Sequence, residues 1–181
     1  MDASAAAGPV SRAYVRLMAG YNGWMNGKVY DACASLSAAE LHADRGAFFR
    51  SVIGTLNHLL YGDLAWFGRF KDGAPRAVQA GAIIHAEFAA LRAARESLDR
   101  EISAWSQSVS PAWLAAPFTY RSTIDGRERT FPAWMLVAHM FNHQTHHRGQ
   151  LTTLLTQLGR DVGPTDMPFM PDAASLVVSL D

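Results

Sequence analysis

The sequence predicts an all-α protein, an up-and-down four-helix bundle with a small β-hairpin or extended excursion before the last long helix. Four long segments carry apolar residues at spacings of three and four, and the segment before the last of them alternates instead. With 181 residues, the chain is long enough for one domain with a real hydrophobic core. We therefore expect one domain over residues 1–181, with a flexible N-terminus at 1–10 and a tail at 160–181 that wraps the bundle.

The first long helix is predicted from about Ser11 to Leu36, where aromatic, leucine and methionine side chains recur at the period of an amphipathic helix. Ser37 and Glu40 follow at the spacing of a capping box, in which the two side chains bond to otherwise free backbone N–H groups. A short connecting helix is expected to start there.

The second and third long helices are predicted from their apolar stripes. The second stripe runs from Phe49 to Phe67, and "KDGAP" at 71–75 is expected to end the helix. The third stripe runs from Phe88 to Trp105 on a near-heptad spacing, and its other faces are charged.

The helical period disappears between Pro111 and Phe131. The stretch "FTYRSTIDGRERTF" alternates around Asp125 and Gly126, a pair of residues favoured in hairpin turns. A β-hairpin or extended excursion is therefore expected here.

The fourth long helix follows the predicted hairpin and contains all of the clustered histidines. Thr130 is a candidate cap for it, Pro132 suits its first turn, and Gly159 can end it in the left-handed conformation.

Composition excludes several classes of function. Lys and Arg number 16, as do Asp and Glu, so the net charge gives no attraction to nucleic acid or to anionic lipid. No apolar run is long enough to span a bilayer. A lone cysteine, Cys33, and the lack of a signal-type start lead us to expect a cytoplasmic protein without disulfides.

The stretch "FNHQTHHRGQ" holds three of the seven histidines within five positions. Residues four apart share a helix face, so His143 and His147 can converge on one metal ion. His139 and His143 have the same relation, and His143 and His146 are three apart. Spacing alone does not choose among these pairs.

A third ligand is needed, because zinc in catalytic sites is usually held by three protein groups and a water molecule. His58 is the leading candidate, since it lies in the middle of the second helix with Gly54 and Gly62 one turn away on either side. The two glycines would leave space for an ion, although close helix packing would also explain them. His42 and His85 are expected near helix ends or turns, in solvent.

The stretch "HQTHH" can be compared with the H-E-x-x-H pattern of zinc metalloproteases. Gln144 stands at the position of the glutamate, and an amide cannot serve as the general base. Peptide hydrolysis by that route is therefore disfavoured. Asp63, also on the second helix, is expected to pair with Arg69 or with another basic residue of the bundle.

Several stretches together resemble the DinB family of metal-dependent proteins, the DinB/YfiT-like group. They are "YNGWMNGKVYDA" in the first helix, "GTLNHLLYGDLAWFGRF" in the second, "FNHQTHHRGQL" in the fourth and the following "GPTDMPFM". The resemblance covers nearly the whole chain. It implies an up-and-down four-helix bundle with a three-histidine site.

The resemblance also assigns the ligands of a divalent metal ion, zinc or nickel. One comes from the second helix, matching His58, and two from the fourth, matching His143 and His147. His146 then lies beside the ligands, and Arg148 and Gln150 follow them directly. These three residues are candidates for bonding to the ligand rings or for contacting the substrate.

Relatives that the chain resembles include thiol S-transferases that use bacillithiol or mycothiol, and a mycothiol-dependent maleylpyruvate isomerase. The resemblance therefore implies a metal-dependent transferase that activates a small thiol cosubstrate, acts on a small molecule and forms a homodimer. A cation lowers the pKa of a bound thiol, so the chemistry is plausible. Two alternatives stay open: a non-catalytic bundle that binds metal or small molecules, and a metal-dependent hydrolase.

Overall fold

A computed structural model describes residues 9–77, 79, 81–171 and 173 of the chain. It contains four long helices and a two-stranded antiparallel sheet that precedes the last of them, as predicted. The elements, in chain order, are α1 Arg12–Cys33, α2 Ala38–His42, α3 Val52–Asp72, α4 Phe88–Ser108, α5 Pro111–Ala115, β1 Pro117–Arg121, β2 Glu128–Pro132, α6 Ala133–Gln157 and a short 3-10 helix at Met167–Phe169.

The four long helices are arranged so that α1 and α3 lie diagonally across the bundle. Helix α1 packs mainly against α4 and α6, and α3 packs against the same two helices. The 34–51 connection, which includes α2, therefore crosses from one corner of the bundle to the opposite one. This arrangement places α3 beside α6, the two helices that carry the histidines singled out above.

The helix ends near the crossing connection follow local sequence signals. Ser11 accepts a hydrogen bond from the Tyr14 N–H at the start of α1. The predicted capping box at the start of α2 is confirmed, because the Ser37 hydroxyl accepts from the Glu40 N–H and the Glu40 carboxylate accepts from the Ser37 N–H.

Helix α3 begins later than the apolar stripe predicts. Ser51 caps it by accepting from the Gly54 N–H. Phe49 lies before the helix, because Arg50 adopts a left-handed φ of 66° that breaks the helical path. The predicted end near 71–75 is confirmed, with Gly73 in the left-handed conformation at a φ of 78°.

The hairpin is confirmed, and its loop is longer than a tight two-residue turn. Strand pairing runs from Pro117 with Pro132 to Arg121 with Glu128, which leaves residues 122–127 in the loop. Gly126 has a φ of 70°, a conformation that favours glycine.

Two details before α6 differ from the prediction. Residues 111–115 form helix α5, which begins with a proline after the capping residue Ser110. Thr130 does not cap α6, because it lies in β2, where its hydroxyl is 2.7 Å from that of Thr119. Pro132 is the residue that precedes the first turn of α6, and it makes no side-chain capping bond. The end of α6 follows the prediction, with Gly159 at a φ of 69°.

The core between the helices includes a buried ion pair. Asp63 of α3 accepts from Arg95 of α4 at 2.8 Å, and each side chain is only 1 % exposed. A second carboxylate, Asp99, lies 2.8 Å from the same guanidinium and accepts from Asn26 of α1. Of the two expected alternatives for Asp63, Arg69 or another basic residue of the bundle, the structure shows the second. The Arg69 side chain donates to the Ala65 carbonyl oxygen instead.

The described part of the tail contacts α1. The Tyr21 hydroxyl donates to the Thr165 carbonyl oxygen at 2.8 Å, and Met170 is buried beside Gly20. Residues 172 and 174–181 of the tail, and residues 1–8 of the expected flexible start, lie outside the described residues. Among the helices that the structure describes, none combines the length and the hydropathy that crossing a bilayer requires.

Candidate metal site

Three histidines from α3 and α6 converge on one point. The Nε2 atom of His58 lies 3.0 Å from Nε2 of His143 and 3.1 Å from Nε2 of His147. His58 and His147 are each about 9 % exposed, and His143 is half-buried. The structure therefore brings together the three residues that the resemblance assigns as ligands.

The pattern of protons at the three Nε2 atoms favours a cation between them. Nε2 of His58 contacts two imidazole nitrogens, but a neutral imidazole carries one proton on one of its two nitrogens. The single N–H or single lone pair of His58 Nε2 can form one well-aligned hydrogen bond, so one of the two contacts is left unsatisfied. A divalent ion would accept all three lone pairs, and nitrogens bound to one ion by bonds of about 2.0–2.1 Å lie about 3 Å apart, as here.

Gln150 fixes the tautomer of one ligand. Nδ1 of His147 lies 2.8 Å from the Gln150 side-chain oxygen, which can only accept, so the proton of this imidazole resides on Nδ1. Nε2 of His147 then presents its lone pair to the site. The Gln150 amide nitrogen lies 3.3 Å from Nε2 of the exposed His146, which orients the amide. Gln150 therefore contacts the ring of one metal-ligand candidate.

Each glycine beside His58 allows a close approach, of two different kinds. A Cβ on Gly62 would lie 2.6 Å from Cε1 and 2.8 Å from Nδ1 of His143, so the ring of one ligand lies directly against this backbone. A Cβ on Gly54 would lie 2.2 Å from the Phe49 carbonyl oxygen. Close packing explains both glycines, and at Gly62 the packed group is a metal-ligand candidate.

Phe49 covers one side of the site. Its ring stacks on the His58 imidazole with a centroid distance of 3.8 Å and an interplanar angle of 18°. It also lies edge-on to His147, at 5.4 Å. The phenyl ring therefore shields two of the three imidazoles from water and restricts the rotation of His58.

The environment keeps the imidazoles neutral. Burial, and then the neighbouring His147, lower the pKa of His58 to about 4. Burial and the surrounding histidines lower the pKa of His143 to about 3, and burial also lowers the pKa of His147. Neutral imidazoles are the form that binds a metal ion, so the site is ready for one at neutral pH.

Two other polar residues of the histidine-rich stretch on α6, Arg148 and Gln144, point into the bundle. Arg148 is buried, and its guanidinium donates to Asn22 and Asn26 of α1. Burial lowers the pKa of Arg148 to about 10. The Gln144 amide donates to the Leu59 carbonyl oxygen at 2.8 Å, so this residue ties α6 to α3.

The structure places the remaining histidines outside the group of three converging imidazoles. The ring of His139 is 6.1 Å from that of His143 and packs edge-on against Trp66. His85 lies in the α3–α4 connection, where its backbone N–H and carbonyl both bond to the Asn57 side chain. His42 is exposed at the end of α2.

Phe49 is the residue of the site that sequence reasoning assigned differently. Its spacing from Val52 and Ile53 is that of an ordinary helical stripe, so it was expected to be a core residue of the second helix. The sequence signal that places Phe49 outside the helix is Ser51, two residues later. Serine is a suitable N-cap, so the helix starts after Ser51 and therefore beyond Phe49.

Comparison with known proteins gives the family of the chain. Over 150 residues the chain is 25 % identical to the protein named Protein DinB from Bacillus subtilis (strain 168). The matched region covers 81 % of this chain and 87 % of that protein. The model of the DinB family matches residues 9–177, which is nearly the full length. The chain therefore belongs to the DinB family.

Proposed function

We propose that the protein binds a divalent metal ion, zinc or nickel, through His58, His143 and His147 and uses it to transfer a small thiol to an electrophilic small molecule. The observation that carries the proposal is the convergence of three imidazoles from two neighbouring helices, with Nε2 of His58 3.0 Å and 3.1 Å from the Nε2 atoms of His143 and His147. Three imidazoles leave coordination positions for a further ligand, the arrangement of catalytic rather than structural sites.

A bound divalent ion would supply the positive charge that lowers the pKa of a thiol to below neutrality. The balance of the reaction is simple for a halogenated aromatic electrophile. The thiol proton passes to water, the sulfur forms a bond to the aromatic carbon, and the halide leaves with the electron pair of the carbon–halogen bond.

The residues of the chain have defined parts in this proposal. The Gln150 side-chain oxygen accepts a hydrogen bond from the Nδ1–H of His147 and so keeps Nε2 available for the metal. Phe49 holds the His58 ring by stacking and excludes water from that side. The thiol would come from a cosubstrate, because the only cysteine, Cys33, is buried and burial raises the pKa of its thiol to about 12.

Further parts of the proposal concern the setting of the protein. Imidazole ligands suit both zinc and nickel, so the donor set favours neither metal. We also propose that the protein forms a homodimer, is located in the cytoplasm and binds neither nucleic acid nor membranes. The equal numbers of acidic and basic residues support the last of these.

Metal content and thiol conjugation test the proposal together. We expect purified protein to carry about one zinc or nickel ion per chain, and to accelerate conjugation of cysteine, bacillithiol or mycothiol to 1-chloro-2,4-dinitrobenzene. The His143→Ala variant should lose both properties, while His85→Ala should keep both. Full metal content in His143→Ala would refute the site. Normal metal content without any conjugation would favour a non-catalytic metal-binding bundle.

A further inference from the structure

A pocket of about 780 Å³ lies beside the metal site, at the N-terminal end of α3. Its volume is within the range of small-molecule sites, about 300–1,000 Å³. Its wall includes residues of α2, of the turn before α3, of α3 itself and of the segment before α4, among them His42, Phe48, Phe49, Ile53, His58 and Ile83.

The pocket and the metal site share two residues. His58 lines the pocket while its Nε2 atom faces the other two imidazoles. Phe49 also lines the pocket, and its ring lies against both His58 and His147. A molecule in the pocket would therefore lie against His58, one of the three metal-ligand candidates.

One side of the pocket is apolar. Phe48 and Phe49 meet edge-on at 4.8 Å, and Ile53 and Ile83 complete this surface. Phe48 is 84 % exposed and Ile83 is 52 % exposed, although both are large apolar residues. Exposed apolar side chains grouped around one concave surface indicate a binding site, whereas single ones are ordinary.

The turn that presents the two phenylalanines is held in a strained form. Arg50 has a φ of 66°, which is unusual for a residue other than glycine. Its backbone N–H donates to the Ala47 carbonyl at 2.8 Å, and its guanidinium forms two bonds to Asp44. Because Asp44 neutralises Arg50, this rim of the pocket offers no free positive charge from the arginine.

We propose that this pocket binds the electrophilic substrate and that the substrate carries a planar apolar group, which packs against Phe48 and Ile83 beside the metal site. The inference rests on the proposed function and adds the substrate class to it. Small thiols of the cell are polar, so an apolar wall suits the acceptor rather than the thiol. The apolar group places the electrophilic carbon toward His58, the part of the pocket wall that belongs to the metal site.

Paramagnetic relaxation tests the location directly. Protein loaded with cobalt(II) is mixed with 2-naphthol, a planar aromatic compound without an electrophilic centre, and the relaxation rates of the naphthol protons are compared with those in the zinc-loaded protein. We expect much faster relaxation with cobalt, because the effect falls steeply with distance from the ion. The Ile83→Ser variant should raise the dissociation constant for 2-naphthol by about tenfold, as the loss of a buried aliphatic contact predicts.

Ile124→Ser is the matched control, since Ile124 is 91 % exposed at the hairpin loop and does not line the pocket. It should bind 2-naphthol with unchanged affinity. Equal relaxation with cobalt and zinc, or equal affinity of Ile83→Ser and the parent protein, would overturn the inference while leaving the proposed function in place. Failure of cobalt to bind at all would overturn both.

Discussion

At the scale of single residues, Gly62 sets how closely α3 approaches the His143 ring. In Gly62→Ala, the new Cβ would lie 2.6 Å from the imidazole, so the ring must move out of line with the other two. Overpacking of this kind costs about 1–3 kcal/mol, and we expect metal affinity to fall by about 5- to 150-fold. Competition with a chromogenic chelator would measure the affinity.

Gly23→Ala provides the control for this change. Gly23 lies in the interior of α1, and a Cβ there would meet no atom within 4 Å among the described residues. Metal affinity should be unchanged, and the helix should gain up to about 1 kcal/mol from the better helix former. Equal metal affinity in the two variants would show that Gly62 has no part in the site.

Gln150 acts through the His147 ring. Gln150→Leu removes the acceptor of the Nδ1 proton, so His147 can take the other tautomer and turn its Nε2 proton toward the metal. We expect metal affinity to fall by about 10- to 100-fold, the usual effect of losing a group that bonds to a ligand ring. Gln150→Glu should retain most of the affinity, because a carboxylate oxygen also accepts a hydrogen bond from the Nδ1–H of His147. Isothermal titration with zinc would measure all three proteins, and a Gln150→Leu affinity equal to that of the parent would contradict this role.

Sequence reasoning at this scale reached the polar residues more readily than the apolar ones. Three histidines in five positions are conspicuous, and the family resemblance separates His143 and His147 from the equally spaced alternatives. Phe49 was missed, because a phenylalanine in an apolar stripe looks the same whether it fills the core or stacks on a ligand. The partner of Asp63 depends on which helices are neighbours, and helical periodicity does not contain that information.

At the scale of helices, the bundle is joined by charged groups in its core as well as by apolar packing. Arg95 of α4 bonds to Asp63 of α3 and faces Asp99 on its own helix. Burial raises the pKa of Asp63 to about 6, and the charge of Arg95 opposes this effect. The neighbouring guanidinium therefore stabilises the ionised carboxylate in the core.

The Arg95→Met variant tests this pairing. It leaves the buried Asp63 carboxylate without its cation, so the free energy of unfolding should fall by about 3–5 kcal/mol in urea denaturation. Arg129→Met is the matched control, since it breaks an exposed pair with Asp125 in the hairpin and should leave stability nearly unchanged. If both variants lost the same amount, the buried pair would have no special weight.

Element boundaries were predictable where a local signal decides them. The capping box at Ser37 and the left-handed Gly159 needed no tertiary information. Thr130 is a suitable capping residue by type, but strand pairing with Thr119 placed it in the hairpin. Similarly, α5 is a single five-residue helix, too short to show a period of its own.

At the scale of the whole molecule, the histidines should make the metal-free protein sensitive to acid. The pKa values of His58 and His143 fall from 6.5 to about 4 and about 3 in the folded chain, so between these values the unfolded chain binds more protons. The free energy of unfolding therefore falls as the pH is lowered from about 6.5 toward 4. Urea denaturation at several pH values would measure the slope.

The double variant His58→Gln, His143→Gln isolates this contribution. Asp63 acts with the opposite sign, because a raised carboxyl pKa favours the folded state as the pH falls, but it is common to both proteins. As the pH falls from about 6.5 toward 4, the free energy of unfolding should therefore fall more in the parent protein than in the double variant. Parallel curves would contradict the neutral state of the two imidazoles.

Anomalous diffraction at the zinc and nickel absorption edges, from a crystal of the protein grown with these metals, is the most direct test of the three-histidine metal site. We expect one strong peak about 2.0–2.2 Å from the Nε2 atoms of His58, His143 and His147, at the edge of the bound metal. A map without a peak between the three rings, or with the ion held by other residues, would contradict it.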